Sequence, residues 1–412
     1  MEKGINRCVK VYPFFYGFTG DLLFYIAIDT LFLTVVKGFT AAQIVSITSF
    51  SLLACIVLQV PVLFIIKKIG NTASVRVGSC LLVTAALLIT FGNNYFLVLL
   101  GRTLHNIDNI FKFAPSVVAL KNDLDLVGRP EEFVRVRTAG NTVYAVVTML
   151  ISFVASYMFN LYAYLPMFGC ITTCTVGLVL SFFIKDHSPY NRAPREGGPR
   201  QRVKIKYSSL VIVAILAYSV FYLVVTSGQN EGKLFTQELL LLEFDVETTA
   251  LIIGAVVCVS RVMRVLSNMV FAKLYKRFCD KMGVALAVLL GCAIGAMLFG
   301  SFLPHIIAKI TVMALGYTII LFARDPFNLY MQDVIFAYTP KEQHQSLLII
   351  LNMGVKIASA GIGLIFSAFL ISYPLIVVIG ILFGIAVLEV LMCAVLYRIV
   401  MREKRGLREK AI

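Results

Sequence analysis

Residues 42–66, AQIVSITSFSLLACIVLQVPVLFII, contain no charged side chain and are followed at once by Lys67-Lys68. Because a helix that crosses a bilayer needs about 20 predominantly apolar residues, this stretch predicts a membrane-spanning helix. The remaining sequence contains eleven more runs of this kind, at 13–36, 74–92, 95–118, 138–160, 162–184, 208–229, 246–268, 282–302, 304–323, 346–370 and 374–397. The sequence therefore predicts twelve transmembrane helices.

The overall composition agrees with a chain that lies mostly in lipid. Apolar residue types make up 59% of the 412 residues and charged types only 14%, whereas soluble domains average about 45–50% and about 25%. A soluble protein would have too little interior for so many apolar side chains, and disorder requires low hydrophobicity. The composition excludes both classes and indicates an all-α polytopic membrane protein.

The positions of the basic residues predict the orientation of the chain. The formal charge is +15, from 37 Lys and Arg against 22 Asp and Glu. With a cytoplasmic N-terminus, 29 of the 37 lie in cytoplasmic segments, and only Lys37 and Lys233 lie in outside loops. Cytoplasmic loops of membrane proteins carry this excess. We therefore expect both termini in the cytoplasm and no nucleic-acid partner.

The twelve runs divide into two sets of six, separated by a polar segment rich in Pro, Gly and Arg, as is typical of a linker. The predicted organisation is an N-terminal six-helix bundle at 1–184, a basic cytoplasmic linker at 185–207, a C-terminal six-helix bundle at 208–398 and a basic cytoplasmic tail at 399–412.

Short features recur at matching places in the two halves. Basic pairs, Lys67-Lys68 and Lys276-Arg277, follow the second and eighth runs. Thr40 and Asp245 precede the same two runs, and each is a residue type that suits a helix N-cap. Together with the linker, these features predict a tandem repeat of two pseudo-symmetric bundles.

In helix number, linker and orientation the whole chain resembles the major facilitator superfamily. Gly101-Arg102 is similar to the Arg-bearing motif of that family's fourth helix, and the loops after the second and eighth helices are similar to its signature loop, with Lys67 and Lys276 in place of the usual Asp. The fifth run lacks the spaced glycines and Gly-Pro of the family's antiporters. The resemblance implies a monomeric secondary transporter that works by alternating access.

Ionisable residues inside the predicted spans are the first candidates for function. Each costs about 2.5–3.5 kcal/mol at mid-bilayer on insertion scales and usually faces a cavity or a partner. A shielded carboxyl group can exchange a proton near neutral pH, and a histidine can relay one. We therefore predict proton coupling by Asp21, Asp29, His105 and Asp108. The alternative for Asp21 is a structural salt bridge, for example with Arg102.

Eight further polar residues are predicted to bind substrate: Arg102, Lys112, Arg261, Asn352, Lys356, Glu389, Gln229 and Asn230. Lys112 lies four residues after Asp108, so the two can pair on a helix, and Glu389 is a natural partner for Lys356. Gln229 and Asn230 fall in a segment, Gly228–Gly232, where we expect the seventh helix to be broken, as helices at transporter sites often are. An ordinary surface loop is the alternative.

The intramembrane bases outnumber the acids by six to four, which favours a small anionic or amphipathic organic substrate, moved with protons. Two alternatives are a proton-driven multidrug exporter and a lipid flippase or scramblase that uses the same cavity. The sequence contains no nucleotide-binding loop, metal-spaced His/Cys cluster or nucleophile motif, so we expect no enzyme activity, no cofactor and no metal. The expected partners are the substrate, protons and membrane lipids, and the expected location is the plasma membrane of a prokaryote.

Overall fold

The computed structural model describes residues 2–188, 208–339 and 341–409, and all regular secondary structure in these ranges is helical. The all-α class is therefore confirmed. The described residues form two compact units. The first contains residues 2–188 together with residues 250–258, and the second contains residues 208–249 and the described residues from 259 onward. Most of the predicted linker, residues 189–207, lies outside the described residues.

Seven α-helices precede residue 188. They are α1 (Glu2–Thr19), α2 (Tyr25–Leu31), α3 (Ala41–Ile69), α4 (Asn71–Phe91), α5 (Tyr95–Leu126), α6 (Glu132–Leu161) and α7 (Leu165–Ser181). A short π-helical turn, Phe32–Val36, continues α2. Six more helices follow residue 208, with a 3₁₀ turn at Cys279–Lys281: α8 (Ser209–Leu241), α9 (Val246–Phe278), α10 (Met282–Gly300), α11 (Ile306–Tyr338), α12 (Lys341–Phe369) and α13 (Leu375–Glu409).

Nine helices within the described ranges are long and apolar enough to cross a membrane. They are α3, α4, α6 and α8–α13. The three remaining predicted spans differ for separate reasons. The run at 13–36 is interrupted, the run at 162–184 contains a helix of only 17 residues, and α5 carries several polar and charged side chains.

The two predicted N-caps are confirmed. Thr40 accepts a hydrogen bond from the N–H of Gln43, which in turn caps the Thr40 N–H, so the pair forms a capping box at the start of α3. Asp245 accepts a hydrogen bond from the N–H of Thr248 at the start of α9. The hydrogen bonds from Thr248 hold the pKa of Asp245 below its usual range. Corresponding helices of the two halves therefore begin with the same device.

The predicted break in the seventh span is wrong, because α8 is continuous from Ser209 to Leu241. The two glycines serve close packing instead. A Cβ on Gly228 would lie 2.8 Å from the side chain of Ile294, and one on Gly232 would lie 2.6 Å from that of Met297. Lys233 also lies within this helix and is buried, so it is not in a loop as expected.

Residues 185–188, which we assigned to the linker, are bound to the first unit. Asp186 Oδ2 accepts hydrogen bonds from the side-chain amides of Asn71 at 2.7 Å and Asn122 at 3.0 Å, and its Oδ1 accepts one from the Ser188 hydroxyl at 2.6 Å. His187 donates its backbone N–H to Asp123 at 2.8 Å. These contacts hold the segment against the ends of α4 and α5.

Replacing Asp186 with Ala should release this segment. The buried carboxylate accepts four hydrogen bonds in all, the fourth from the Ser188 N–H at 3.0 Å. Their loss should lower the free energy of unfolding by about 1–3 kcal/mol, because the amides of Asn71 and Asn122 would lose a charged acceptor. Tryptic cleavage after Lys185 should also become faster. The exposed Asp125→Ala on α5 is the matched control. Equal cleavage rates in the two variants would contradict the anchoring role.

The packing of α10 against α11 makes a second prediction. A Cβ on Gly316 would lie 2.5 Å from the carbonyl oxygen of Ala293 and 3.2 Å from the N–H nitrogen of Met297, and backbone atoms cannot rotate away. Gly316→Ala should therefore lower the free energy of unfolding by about 1–3 kcal/mol, measured by thermal unfolding in detergent.

Gly361→Ala is the control for this experiment, because a Cβ at Gly361 meets no atom within 4 Å. It should leave stability unchanged or raise it by up to about 1 kcal/mol through helix propensity. A Gly316→Ala variant as stable as Gly361→Ala would refute the close contact.

Candidate functional site

The site begins where the first predicted span is interrupted. Helix α1 ends at Thr19 and α2 begins at Tyr25, so residues 20–24 are not helical. Gly20 favours the interruption through its low helix propensity, and a Cβ there would lie 2.6 Å from the ring of Tyr144. Asp21 Oδ1 accepts the N–H of Leu22 at 2.8 Å, a local bond that competes with helix formation. The expected continuous helix is wrong, and Asp21 lies in the break.

Four predicted residues form one chain of polar contacts, here called the Asp21 network: Asp21, His105, Asp108 and Lys112. Asp21 Oδ1 lies 3.1 Å from His105 Nε2, and His105 Nδ1 lies 3.2 Å from Asp108 Oδ2. Asp108 Oδ1 lies 2.6 Å from Lys112 Nζ, so the predicted pairing of these two residues is confirmed. The spacing of three and four residues places the last three on one face of α5.

The Asp21 network returns to the helix break from which it starts. Lys112 Nζ donates a hydrogen bond to the backbone carbonyl of Thr19 at 2.8 Å. This carbonyl belongs to the last turn of α1, where carbonyl groups lack helical partners. The ammonium group therefore caps α1, while the other end of the network carries Asp21, two residues further along the chain.

Exposure falls steeply along the network. The Asp21 side chain keeps 24% of its surface exposed, His105 keeps 6%, and Asp108 and Lys112 keep 0% and 1%. Asp21 is therefore the point at which the network meets its surroundings. The Asp108–Lys112 pair is a fully buried ion pair, which persists only when both partners are present.

The charges of the network do not balance without a proton. With His105 neutral, two carboxylates and one ammonium group leave a net charge of −1. One added proton, shared by His105 and the carboxylates that flank it, brings the sum to zero. The Arg102 guanidinium also acts electrostatically on Asp21. Within the four groups, His105 between its two carboxylates is suited to hold a single exchangeable proton.

Aromatic side chains that we did not predict pack beside the break. Tyr16 packs edge-on against Phe113 and Tyr144, with ring centroids 5.5 Å and 6.3 Å apart. Arg137 lies over the Tyr16 ring at 5.7 Å and donates to the Tyr12 hydroxyl at 3.3 Å. An apolar run is rich in aromatic residues everywhere, so the sequence offered no signal to single these out.

Two further candidates in the first unit lie beside the break. The guanidinium of Arg102 lies over the ring of Tyr25, 6.0 Å from its centroid. The partner of Asp21 is therefore His105 rather than Arg102, contrary to the alternative raised from the sequence. Asp29 accepts the N–H of Thr30 at 2.7 Å within α2. Their roles in proton coupling and substrate binding remain predictions.

The candidates of the second unit lie on four helices. Gln229 and Asn230 are in α8, Arg261 is in α9, Asn352 and Lys356 are in α12, and Glu389 is in α13. Arg261 Nε and Gln229 Nε2 are buried and have no hydrogen-bond partner among the described residues. Glu389 accepts a hydrogen bond from Cys393 at 3.0 Å. Its hydrogen-bond partner is therefore this thiol and not Lys356, the partner expected from the sequence. A substrate role for this set remains a prediction.

One ion pair of the second unit was missed altogether. Arg264 donates to Asp325 through Nε at 2.8 Å and Nη2 at 3.3 Å, and Asn268 donates to the same carboxylate at 3.2 Å. Asp325 follows the predicted span at 304–323, but α11 continues to Tyr338. The buried residues Phe327, Met331 and Val334, at helical spacing after 323, were the signal for this extension.

No group of His, Cys, Asp and Glu in the described ranges could hold a metal ion.

The buried pair can be tested by a double-mutant cycle. Asp108→Asn should lower the free energy of unfolding by about 3–5 kcal/mol, because it leaves the Lys112 ammonium without its counter-charge. Adding Lys112→Met should recover most of this loss. The stability of the two single variants and the double variant is measured by thermal unfolding in detergent.

The pair between Arg129 and Glu132 provides a control, since its side chains are 36% and 29% exposed. Glu132→Gln should change stability by less than about 1 kcal/mol. Additive losses in the double variant, or an equal loss in the control, would show that Asp108 and Lys112 do not act as a buried pair.

Comparison with known proteins identifies the fold. No family model and no curated protein matches the sequence. Solved structures do match. A mutant of the nucleoside transporter NupG superposes with a TM-score of 0.75 at 10% identity, covering 95% of this chain and 99% of NupG.

Two further structures agree over similar lengths. The peptide transporter POT gives a TM-score of 0.67 at 13% identity and 97% and 94% coverage. A bacterial homologue of the iron transporter ferroportin, in an inward-facing state, gives 0.66 at 14% identity and 96% and 98% coverage. The chain is an integral multi-pass membrane protein, and its fold is that of major facilitator-type transporters, as the sequence resemblance implied.

Proposed function

We propose that this protein is a proton-coupled secondary transporter of a small organic solute, and that the Asp21 network carries the coupled proton. The observation that supports the proposal is the Asp21 network itself. It joins four buried or half-buried ionisable groups, and their charges sum to zero when one proton is added. Asp21 is the most exposed of the four groups. Transport of some solute agrees with the fold, which transporters of varied substrates share.

The helix break supplies a physical link between the proton and a conformational change. Asp21 lies within the break, and Lys112 holds the carbonyl of Thr19 at its edge. When a proton binds near His105, positive charge lies on both sides of Asp108. The electrostatic attraction between Asp108 and Lys112 then weakens. The local structure of residues 20–24 therefore responds to protonation, as alternating access requires of a coupling site.

The membrane arrangement that we propose is the one predicted from the sequence. Twelve spans are obtained when α1 and α2 together form one span and α5 and α7 each form another. The bias of 29 of 37 basic residues supports cytoplasmic termini. We further propose that the protein acts as a monomer in the plasma membrane of a prokaryote and that it has no enzymatic activity.

The substrate class follows from the charges. Arg102 and Arg261 lie inside helices, and the Arg261 Nε has no partner among the described residues, so these guanidinium groups suit an anionic or amphipathic solute. A proton-driven multidrug exporter would instead use the acid at Asp21 to bind a lipophilic cation.

A lipid substrate is the second candidate, and one observation favours it. The second unit contains an open apolar groove of about 800 Å³ between α10 and α13. Its walls are apolar side chains and glycines, among them Val288, Gly295, Phe299, Phe383, Val387 and Leu391. A groove of this kind accepts an acyl chain and offers no partner to a polar solute.

The first experiment identifies a ligand by thermal shift across organic anions, lipids and lipophilic cations, because a ligand of the native state raises its apparent stability. The ligand is then tested in proteoliposomes with an imposed pH gradient. Asp21→Asn should reduce gradient-driven accumulation at least tenfold. The rate of exchange of labelled for unlabelled solute should stay unchanged. The exposed Asp125→Asn should transport as wild type does.

Gradient-driven accumulation in Asp21→Asn equal to that of wild type would refute the proton role of Asp21. Stabilisation by lipids alone, with lipid movement that ignores the pH gradient, would favour the flippase or scramblase. Stabilisation by lipophilic cations that depends on Asp21 would favour the exporter.

A further inference from the structure

One acid of the second unit, Glu389, lies on a helix that carries none of the other candidate residues. Glu389 is the only charged residue of α13 between Leu375 and Tyr397. Its side chain is completely buried, with 0% exposure. It lies near the middle of an apolar helix that packs against α8 and α10, so neither water nor lipid headgroups reach it.

The contacts of the carboxyl group are few. Oε1 accepts a hydrogen bond from the thiol of Cys393 at 3.0 Å. Oε2 is buried and has no hydrogen-bond partner among the described residues. A thiol is a weak donor and carries no charge, so it does not compensate a carboxylate.

The stretches of α8 and α10 that face this part of α13 contain no cation. Residues 282–300 of α10 contain no charged side chain. A Cβ on Gly291 would lie 3.9 Å from Val390, and one on Gly228 of α8 would lie 2.8 Å from Ile294. Gly291 of α10 marks the level of Glu389, and Gly228 of α8 marks the level of Ile294, three residues later on α10. The part of α8 at the level of Glu389 therefore precedes Gly228, and residues 209–227 are also uncharged. Lys233 lies further along α8.

The thiols and phenols on the elements around Glu389 are Cys292 on α10, Tyr218 and Tyr222 on α8, Tyr330 on α11, and Cys393. Helix α11 also carries two charged residues near its middle, Arg324 and Asp325. Both act electrostatically on Tyr218 and Tyr222, and Asp325 pairs with Arg264. Along α13 the first cation after Glu389 is Arg398, nine residues further on and about 13 Å along a helix. Lys404 follows it and pairs with Asp280 of the 3₁₀ turn at 2.5 Å.

We propose that Glu389 is a proton-binding site, occupied at neutral pH and separate from the Asp21 network. Among the described residues no cation lies within ion-pair distance of this carboxyl group. A bare carboxylate enclosed by apolar side chains and thiols is far less favourable than the neutral acid, so the group neutralises by holding a proton. Release of that proton requires α13 to move away from α8 or α10, so that water reaches Oε2. Occupancy of the site therefore reports the packing of the second unit.

Infrared difference spectroscopy of the purified full-length protein at neutral pH tests the proposal. Wild type minus Glu389→Gln should contain the carbonyl band of one protonated carboxyl group and no carboxylate band. Glu403→Gln, which changes an exposed acid of the same helix, should instead remove carboxylate bands. Cys393→Ser should shift the carbonyl band, because its hydrogen-bond donor has changed.

A second measurement covers the case in which the spectra overlap. If the folded protein holds the proton while the unfolded chain releases it, wild type loses stability relative to Glu389→Gln as pH rises above about 5. The ratio of their unfolding constants should change about tenfold per pH unit. A carboxylate band in the difference spectrum, or a stability difference independent of pH between 5 and 8, would overturn the proposal. Neither readout depends on transport, so failure here leaves the role of Asp21 untouched.

Discussion

A polar group that is buried in hydrocarbon is costly unless it finds a partner within the chain. For backbone groups this requirement leaves helices as the solution for segments of this length and composition, since a helix satisfies its own N–H and C=O groups. An interruption is tolerated only where side chains take over. At residues 20–24 they do so: Asp21 accepts a backbone N–H, and Lys112 donates to the carbonyl of Thr19. The break and the ionisable network are thus one feature. The network supplies partners for backbone groups at the break, and the break places Asp21 beside His105.

The same requirement separates the charged side chains into three kinds. Asp108 and Lys112 are fully buried and pair within hydrogen-bond distance. Arg264 and Asp325 pair while about a quarter of each side chain remains exposed. Glu389 has no cation and only a thiol beside it. The free energy of burying charge therefore predicts a different behaviour for each set. Asp108 and Lys112 form a fixed pair, Arg264 and Asp325 form a pair that can open at little cost, and Glu389 is a neutral acid.

The sequence alone predicts the parts of this structure that depend on short-range pattern. Apolar runs identify most spans because hydrocarbon selects composition over some twenty consecutive residues. Helical spacing predicts the pairing of Asp108 with Lys112, and residue type predicts the caps at Thr40 and Asp245. All three are properties of neighbours in the chain.

Contacts between distant residues were beyond such reasoning. The break at residues 20–24 depends on Tyr144 and Lys112, which lie about a hundred positions away, whereas the local hydropathy continues through it. At Gly228 and Gly232 the error was the reverse. Glycine there indicated a break, but the side chains of Ile294 and Met297 require it for close packing in a straight helix. A glycine is ambiguous until its neighbours in space are known.

The exposure gradient along the Asp21 network has a consequence for energy conservation. Asp21 is partly exposed, while Asp108 and Lys112 at the far end are sealed. A proton that enters such a network at Asp21 has no second route out, so it must also leave through Asp21. The network cannot conduct protons across a bilayer in a fixed conformation. An ion gradient would therefore not leak through it at rest, and charge would cross only when the whole site changes the side to which it opens.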